Sequence, residues 1–207
     1  TGKSYKTQQS TGGLATAMGS LRQKRQSPWI GWVGKTVKSQ KDQARLQEWY
    51  NQEGFHPLFL DPDDVKKFYE GFCNRTIWPL FHYFVQTTDY RNDEWEAYQR
   101  INQVFAEETA KLLKPDDLIG MHDEQLLLLP QMLRELVPTA KIGFFLHIPF
   151  PSFETFRTLP WRNELVEGML GADLLGFHTL NYSGYFLEAT ERILGHKHEF
   201  SKIHYGD

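Results

Sequence analysis

Lys141-Ile142-Gly143-Phe144-Phe145-Leu146-His147-Ile148-Pro149-Phe150-Pro151-Ser152 decides how this chain is read. Ile142 to Leu146 is apolar with no polar alternation. That is the pattern of a strand buried on both faces in the middle of a parallel sheet. The run stops at His147. Pro149 and Pro151 forbid further strand or helix within their reach, and Ser152 is suited to cap the helix that follows. A titratable ring is thus planted at the carboxyl end of a central strand, the edge at which open α/β sheets bind ligands.

The same grammar repeats on either side. Upstream, Asp117 to Met121 reads as a short strand with His122-Asp123 at its end, and Leu126 to Leu136 as a helix apolar enough to be well buried. Downstream, Trp161 to Gly171 reads as a helix, Asp173 to Phe177 as a strand ended by His178, and Asn181 to Leu194 as a helix stopped by Gly195. Right-handed crossovers bring such strand ends to one side of a sheet, so His122-Asp123, His147 and His178 are expected on a common rim.

Further from the centre the pattern continues. Trp29 to Gly34 is a short strand ending in a glycine turn, Lys41 to Gln52 a helix, and Phe55 to Leu60 another strand. Asp61-Pro62-Asp63-Asp64 combines a cap, a first-turn proline and acids beside the helix dipole, and predicts a helix to about Arg75. Thr76 to Tyr83 reads as an irregular aromatic segment broken by Pro79. Asp93 to Leu113 predicts a long helix burying Trp95, Tyr98, Ile101, Val104, Phe105 and Leu112. Near the start, Thr11 can cap a helix opened by Gly12-Gly13-Leu14, whose free N–H groups suit a phosphate. The last dozen residues predict no clear element. Strand–helix alternation over nearly the whole length points to an α/β fold with a mainly parallel sheet.

Composition narrows the function classes. The net charge of −3 argues against a general nucleic-acid binder. A single cysteine, Cys73, excludes a disulfide framework and favours a reducing, cytoplasmic setting. No apolar run approaches membrane-spanning length. Residues 1–46 hold nine Lys/Arg against one acid, Asp42, either a solvated basic face or a surface that meets phosphates.

The rim could be asked to bind a metal, but its residues lack a compact ligand spacing such as H-E-x-x-H. No G-x-S-x-G marks a nucleophile elbow, and no G-x-G-x-x-G follows a strand. What remains is a helix start for a phosphate, aromatics for a sugar face, and a carboxylate with histidines for hydroxyls. Those are the parts of a sugar-nucleotide or sugar-phosphate enzyme.

Specific motifs carry the reading further. Ser10-Thr-Gly-Gly-Leu14, Gly31-Trp-Val-Gly34, Trp78-Pro-Leu-Phe-His-Tyr83, His122-Asp123 and Leu-Leu-Pro-Gln-Met-Leu-Arg134 recur in one family. So does the long run from Gly143 through Ser152 and Arg157-Thr-Leu-Pro160 to Leu170-Gly-Ala-Asp-Leu-Leu-Gly-Phe-His-Thr179. Over essentially its whole length the chain resembles the N-terminal half of the trehalose-6-phosphate synthase family, retaining glucosyltransferases of two Rossmann-like domains (GT-B). The resemblance implies that residues 1–207 are a fragment: the acceptor-side Rossmann-like domain with helices on both faces of its sheet. On that reading it lacks its first strand, and the C-terminal donor-binding domain is absent.

The family's roles transfer position by position. Gly12 and Gly13 would lie against the donor's phosphates. Trp32, Tyr69 and Trp78 would line the glucose-6-phosphate pocket, with Tyr69 near the phosphate. Asp123 would hold acceptor hydroxyls and position the attacking oxygen, His147 would contact the donor glucose, and His178 would join the substrate-binding set. The resemblance implies UDP-glucose as donor substrate and no cofactor or metal. It implies no membrane or nucleic-acid partner, and a homo-oligomer is compatible with it. The leaving phosphate would take the acceptor's proton, so the two-carboxylate pair of a hydrolase is not called for. The chain departs from the family at Glu124-Gln125, where Tyr-His is usual. A carboxylate beside Asp123 would disfavour a phosphorylated acceptor. Glucosylglycerol-phosphate synthases share much of the pattern, and they and a catalytically inactive sugar-phosphate sensor stand as alternatives.

Overall fold

A computed structural model describes residues 27–204. They form two compact units divided after Phe59. The first is a β-α-β unit. Strand β1 (Trp29–Trp32) pairs in parallel with β2 (Phe55–Leu58), Trp29 opposite Phe55 and Trp32 opposite Leu58. Helix α1 (Gln40–Gln52) connects them, started by the Ser39 hydroxyl, which accepts the Asp42 N–H at 3.3 Å. Gly54, at φ 76°, supplies the left-handed turn into β2.

The second unit opens as the capping pattern predicts. The Asp61 carboxylate accepts the Asp63 and Asp64 N–H groups at 2.9 and 3.2 Å, with Pro62 in the first turn of α2 (Pro62–Val65). The helix does not stop near Arg75. It widens into a π-helical stretch (Lys66–Ile77) and runs on as α3 (Trp78–Phe81). The aromatic segment Thr76 to Tyr83 is therefore mostly helical, and Pro79 does not break it. In the wide turn the Trp78 N–H reaches the Cys73 carbonyl, five residues back, and Pro79 falls in the first turn of α3, where its missing donor is harmless. The chain leaves α3 at Tyr83, a non-glycine residue at φ 66°.

Helix α4 (Asn92–Leu112) buries Trp95, Tyr98 and Ile101 as predicted, and half-buries Phe105. Val104 and Leu112 are 37% exposed. The helical period passes instead through Asn102, Ala106 and Thr109, small or polar residues that an apolar pattern skips.

The sheet of this unit is β3 (Leu118–His122), β4 (Lys141–Phe145) and β5 (Leu174–Gly176), in that order and parallel throughout. Ile119 faces Ile142, His122 faces Phe145, and Phe145 faces Gly176. The connections are α5 (Leu129–Leu136), then α6 (Phe153–Phe156) with α7 (Arg162–Leu170). A single 3₁₀ turn, Glu124–Leu126, precedes α5, so the α-helix starts three residues later than predicted. Ser152 holds the cap position of α6, but its hydroxyl makes no cap bond; its N–H donates to the Tyr83 hydroxyl at 2.9 Å. Helix α8 (Leu180–Leu194) starts on Thr179 and ends at Gly195 in the left-handed conformation. A short hairpin, β6 (His198–Glu199) and β7 (Lys202–Ile203), closes the described chain.

The core is aromatic. Phe72 packs on Trp95, Tyr98 and Trp161, and Phe150 on Phe81, Phe156 and Phe186. Tyr98 is fully buried, yet its hydroxyl donates to the Glu124 carbonyl at 2.8 Å and accepts the Leu127 N–H at 2.9 Å. It thereby pins the loop after β3 to the core. Tyr98→Phe leaves both backbone groups without a partner and is expected to cost about 1–3 kcal/mol, read as a lowered urea midpoint at unchanged slope.

Candidate active site

The candidate site is the carboxyl rim of β3, β4 and β5. Two backbone bonds carry the sheet one step past its strands: the Asp123 N–H to the Phe145 carbonyl at 2.9 Å and the Leu146 N–H to the Gly176 carbonyl at 3.0 Å. Asp123 then sits at φ 75°, ψ 171°. That region is essentially reserved for glycine and costs a side-chain-bearing residue on the order of 1–3 kcal/mol. The conformation is held by the carboxylate itself, whose Oδ1 accepts the Glu124 N–H at 3.1 Å and the His147 N–H at 3.3 Å. A strained aspartate is thus joined directly to the residue that ends the central strand.

The histidines converge as the rim argument requires. His122 Nδ1 lies 3.1 Å from His147 Nε2, so one ring donates and the other accepts. Burial, then the neighbouring His147, hold His122 below the ordinary histidine range, with Asp123 opposing. His122 is accordingly neutral at pH 7. His178 is exposed, its ring 5.8 Å from that of His147 and 5.2 Å from that of Phe145.

Glu124, by contrast, turns inward and is 5% exposed. Its Oε1 accepts the Gln125 amide at 2.7 Å. Burial first, then a hydrogen bond shared with Asp123 and that residue's charge, push its pKa up to about 9. Burial thus works against a second charge beside Asp123.

The aromatic residues carry exposed faces. Trp78 is 43% exposed, with its ring stacked on His82 at 4.1 Å and parallel to Phe84 at 6.1 Å. Tyr69 is exposed on the π-helical stretch. Among the described residues no hydrogen bond or ring contact ties Tyr69 or Trp78 to the rim. Trp32 ends β1 in the first unit with its ring exposed. Gly12 and Gly13 lie outside the described residues. Two participants had no assigned role from sequence: His122, through its bond to His147, and Tyr83, which holds Ser152 after the central strand. The Trp78 to Tyr83 motif contains Tyr83, but only its positive φ turns the hydroxyl toward a loop 69 residues away.

Parallel strands ending in a carboxylate and histidines, with exposed aromatic rings on a preceding helix, define an α/β domain whose rim carries polar groups where open α/β sheets bind ligands. The sequence model of glycosyltransferase family 20 matches residues 1–207, and the chain belongs to that family. It is 45% identical over 186 residues to the trehalose-6-phosphate synthase of Mycolicibacterium smegmatis, covering 90% of this chain and 36% of that protein. A crystal structure of an α,α-trehalose-phosphate synthase (UDP-forming) from Burkholderia vietnamiensis superposes with a TM-score of 0.79 at 35% identity, over 91% of this chain and 40% of that one. The Burkholderia xenovorans synthase in complex with glucose-6-phosphate gives a TM-score of 0.76 at 30% identity, over 94% of this chain and 45% of that one. The chain spans under two fifths of the length of the first curated relatives it matches. Among the described residues no helix is long and apolar enough to cross a membrane.

Proposed function

We propose that the full-length protein transfers glucose from UDP-glucose to glucose-6-phosphate with retention, forming α,α-trehalose-6-phosphate and UDP. Residues 1–207 supply the acceptor side, and a donor-binding domain completes the site. The observation that carries this is Asp123, clamped by the His147 N–H in a backbone conformation that aspartate does not adopt without cause. The relatives' named activity, and the glucose-6-phosphate bound by one of them, support the choice of substrates.

In the proposed reaction the anomeric hydroxyl of glucose-6-phosphate bonds to C1 of the donor glucose. The bond from C1 to the β-phosphate oxygen of UDP breaks, and the hydroxyl proton passes to that phosphate. Asp123 holds acceptor hydroxyls and orients the attacking oxygen. His147 contacts the donor glucose, with its ring set by His122. His178, Tyr69, Trp78 and Trp32 supply binding surface, and Gly12-Gly13 meets the donor's phosphates. The donor is a substrate and no separate cofactor enters. The buried thiol of Cys73 fits a reducing cytoplasm.

The test is UDP release by the full-length protein with UDP-glucose and glucose-6-phosphate, and in parallel with glycerol-3-phosphate. Release with glucose-6-phosphate alone supports the proposal. Release only with glycerol-3-phosphate reassigns the acceptor, and binding without release with either identifies a sensor. Trp78→Ala provides a local check. Its ring is nearly half exposed, so stability should change little, while the acceptor KM should rise about tenfold with a smaller effect on kcat.

A further inference from the structure

Asp123 and Glu124 are adjacent carboxyl groups, and among the described residues no lysine or arginine pairs with either. Two bare carboxylates in that position are not tolerable. A buried, unpaired charge is relieved by neutralisation, and two acids sharing a site keep one proton between them. The hydrogen bonds decide which group keeps it. Asp123 Oδ1 accepts two backbone N–H groups, which favour its charged form. Glu124 accepts the Gln125 amide on Oε1, and among the described residues its buried Oε2 has no hydrogen-bond partner. An oxygen in that position is satisfied if it carries the proton and donates it to the neighbouring carboxylate.

We propose that Glu124 is a positioning residue that stays a neutral acid and donates its proton in a hydrogen bond to Asp123, so that the two side chains present one negative charge to the acceptor. The groups that face Glu124 favour this state. Cys73 from the π-helical stretch and Tyr98 from α4 are buried and themselves pushed up by burial, so neither ionises first at neutral pH. Asp123 is the charged neighbour on its own loop, and neutral His122 lies beyond it. The carboxyl–carboxylate bond fixes the Asp123 side chain. Asp123 then orients the acceptor hydroxyl without removing its proton, which leaves the proton for the departing phosphate.

The kinetic arm of the test rests on the proposed function; the spectroscopic arm does not. Infrared difference spectra of the full-length protein, with glutamate ¹³C-labelled at its side-chain carboxyl, are expected to show a protonated carboxyl at pH 7 that Glu124→Gln removes. That band should titrate away near pH 9 in the unmutated protein. A Glu124 that is ionised at pH 7 overturns the proposal, whatever the enzyme does. In turnover, kcat/KM for glucose-6-phosphate should fall about tenfold per pH unit above that value, as the second charge forms, and Glu124→Gln should lose that limb. Glu124→Leu, which cannot donate to Asp123, should lower kcat about tenfold at pH 7. An alkaline limb identical in Glu124→Gln and the unmutated enzyme would overturn the positioning role. Absence of any glucosyl transfer with the protonated band present strikes the proposed function and leaves the shared proton supported.

Discussion

Asp123→Ala in the full-length protein is expected to lower kcat by about 10²–10³-fold, the scale of losing one preorganised polar group at a reacting centre. The structural reason is that Asp123 is over-determined. Its φ of 75° is paid for by two N–H bonds to the carboxylate and one from its own N–H to Phe145. Alanine keeps the strained φ but loses both carboxylate bonds, so it should be destabilised as well as inactive. Asp123→Gly loses the same bonds and also the steric strain, so its melting temperature should lie above that of Asp123→Ala while its activity is no higher. Asp123→Asn keeps the shape and removes the charge, and should resemble alanine in kcat but the unmutated protein in stability. UDP release and thermal melts on the three variants separate these effects. An Asp123→Ala enzyme with more than a tenth of normal kcat would remove Asp123 from the reaction.

Much of this arrangement can be read from the residues themselves. The unbroken apolar run from Ile142 to Leu146 identifies the central strand, although among the described residues only the face of Ile142, Phe144 and Leu146 is fully buried and Gly143 and Phe145 are half-buried. The cap at Asp61 and the stop at Gly195 are local chemistry, and each stands where the pattern puts it; Ser152 takes its cap position without the cap bond. The convergence of His122, His147 and His178 follows from parallel order alone.

What escapes the sequence depends on hydrogen bonds between distant residues. Pro79 argues for a break, but a π-helical register that passes over its missing donor cannot be seen in a hydropathy pattern. Val104 and Leu112 look like core, and the helix period spends those positions on solvent. Glu124 is the most instructive case. As a letter in the chain it is a charge beside Asp123; as a side chain it is 5% exposed and tied to Gln125, its backbone carbonyl held by the Tyr98 hydroxyl, and burial pushes its pKa up to about 9. Burial reverses the chemical reading, and burial is not local.

The largest stability loss is expected from Arg134→Ala, at about 2–4 kcal/mol. Arg134, at the last turn of α5, ties three segments together. Nε donates to the Gly171 carbonyl at 3.2 Å, Nη1 to the carbonyls of Pro138 and Ala140, and Nη2 to Asp173 at 2.9 Å. Asp173 in turn accepts the Ile142 N–H at 2.7 Å at the start of β4. The ion pair itself is worth little, because Asp173 is 58% exposed and solvent screens it. The weight rests on the carbonyls, which no other side chain among the described residues serves, and on the closeness of the packing: a Cβ on Gly171 would stand 2.2 Å from the Gln131 nitrogen. Asp173→Ala should therefore cost less than Arg134→Ala, since it spares all three carbonyl bonds. Arg134→Lys should rescue little, because an ammonium cannot reproduce the planar fork that reaches several oxygens at once. Denaturant melts of the three variants give the order. All of these contacts lie at the amino ends of β4 and β5, opposite the rim, so each variant should keep near-normal kcat wherever it remains folded. A fall in kcat that tracks the stability loss while the protein is still folded would mean that the rim and the base of the sheet move together, and that Arg134 belongs to the site as well as to the fold.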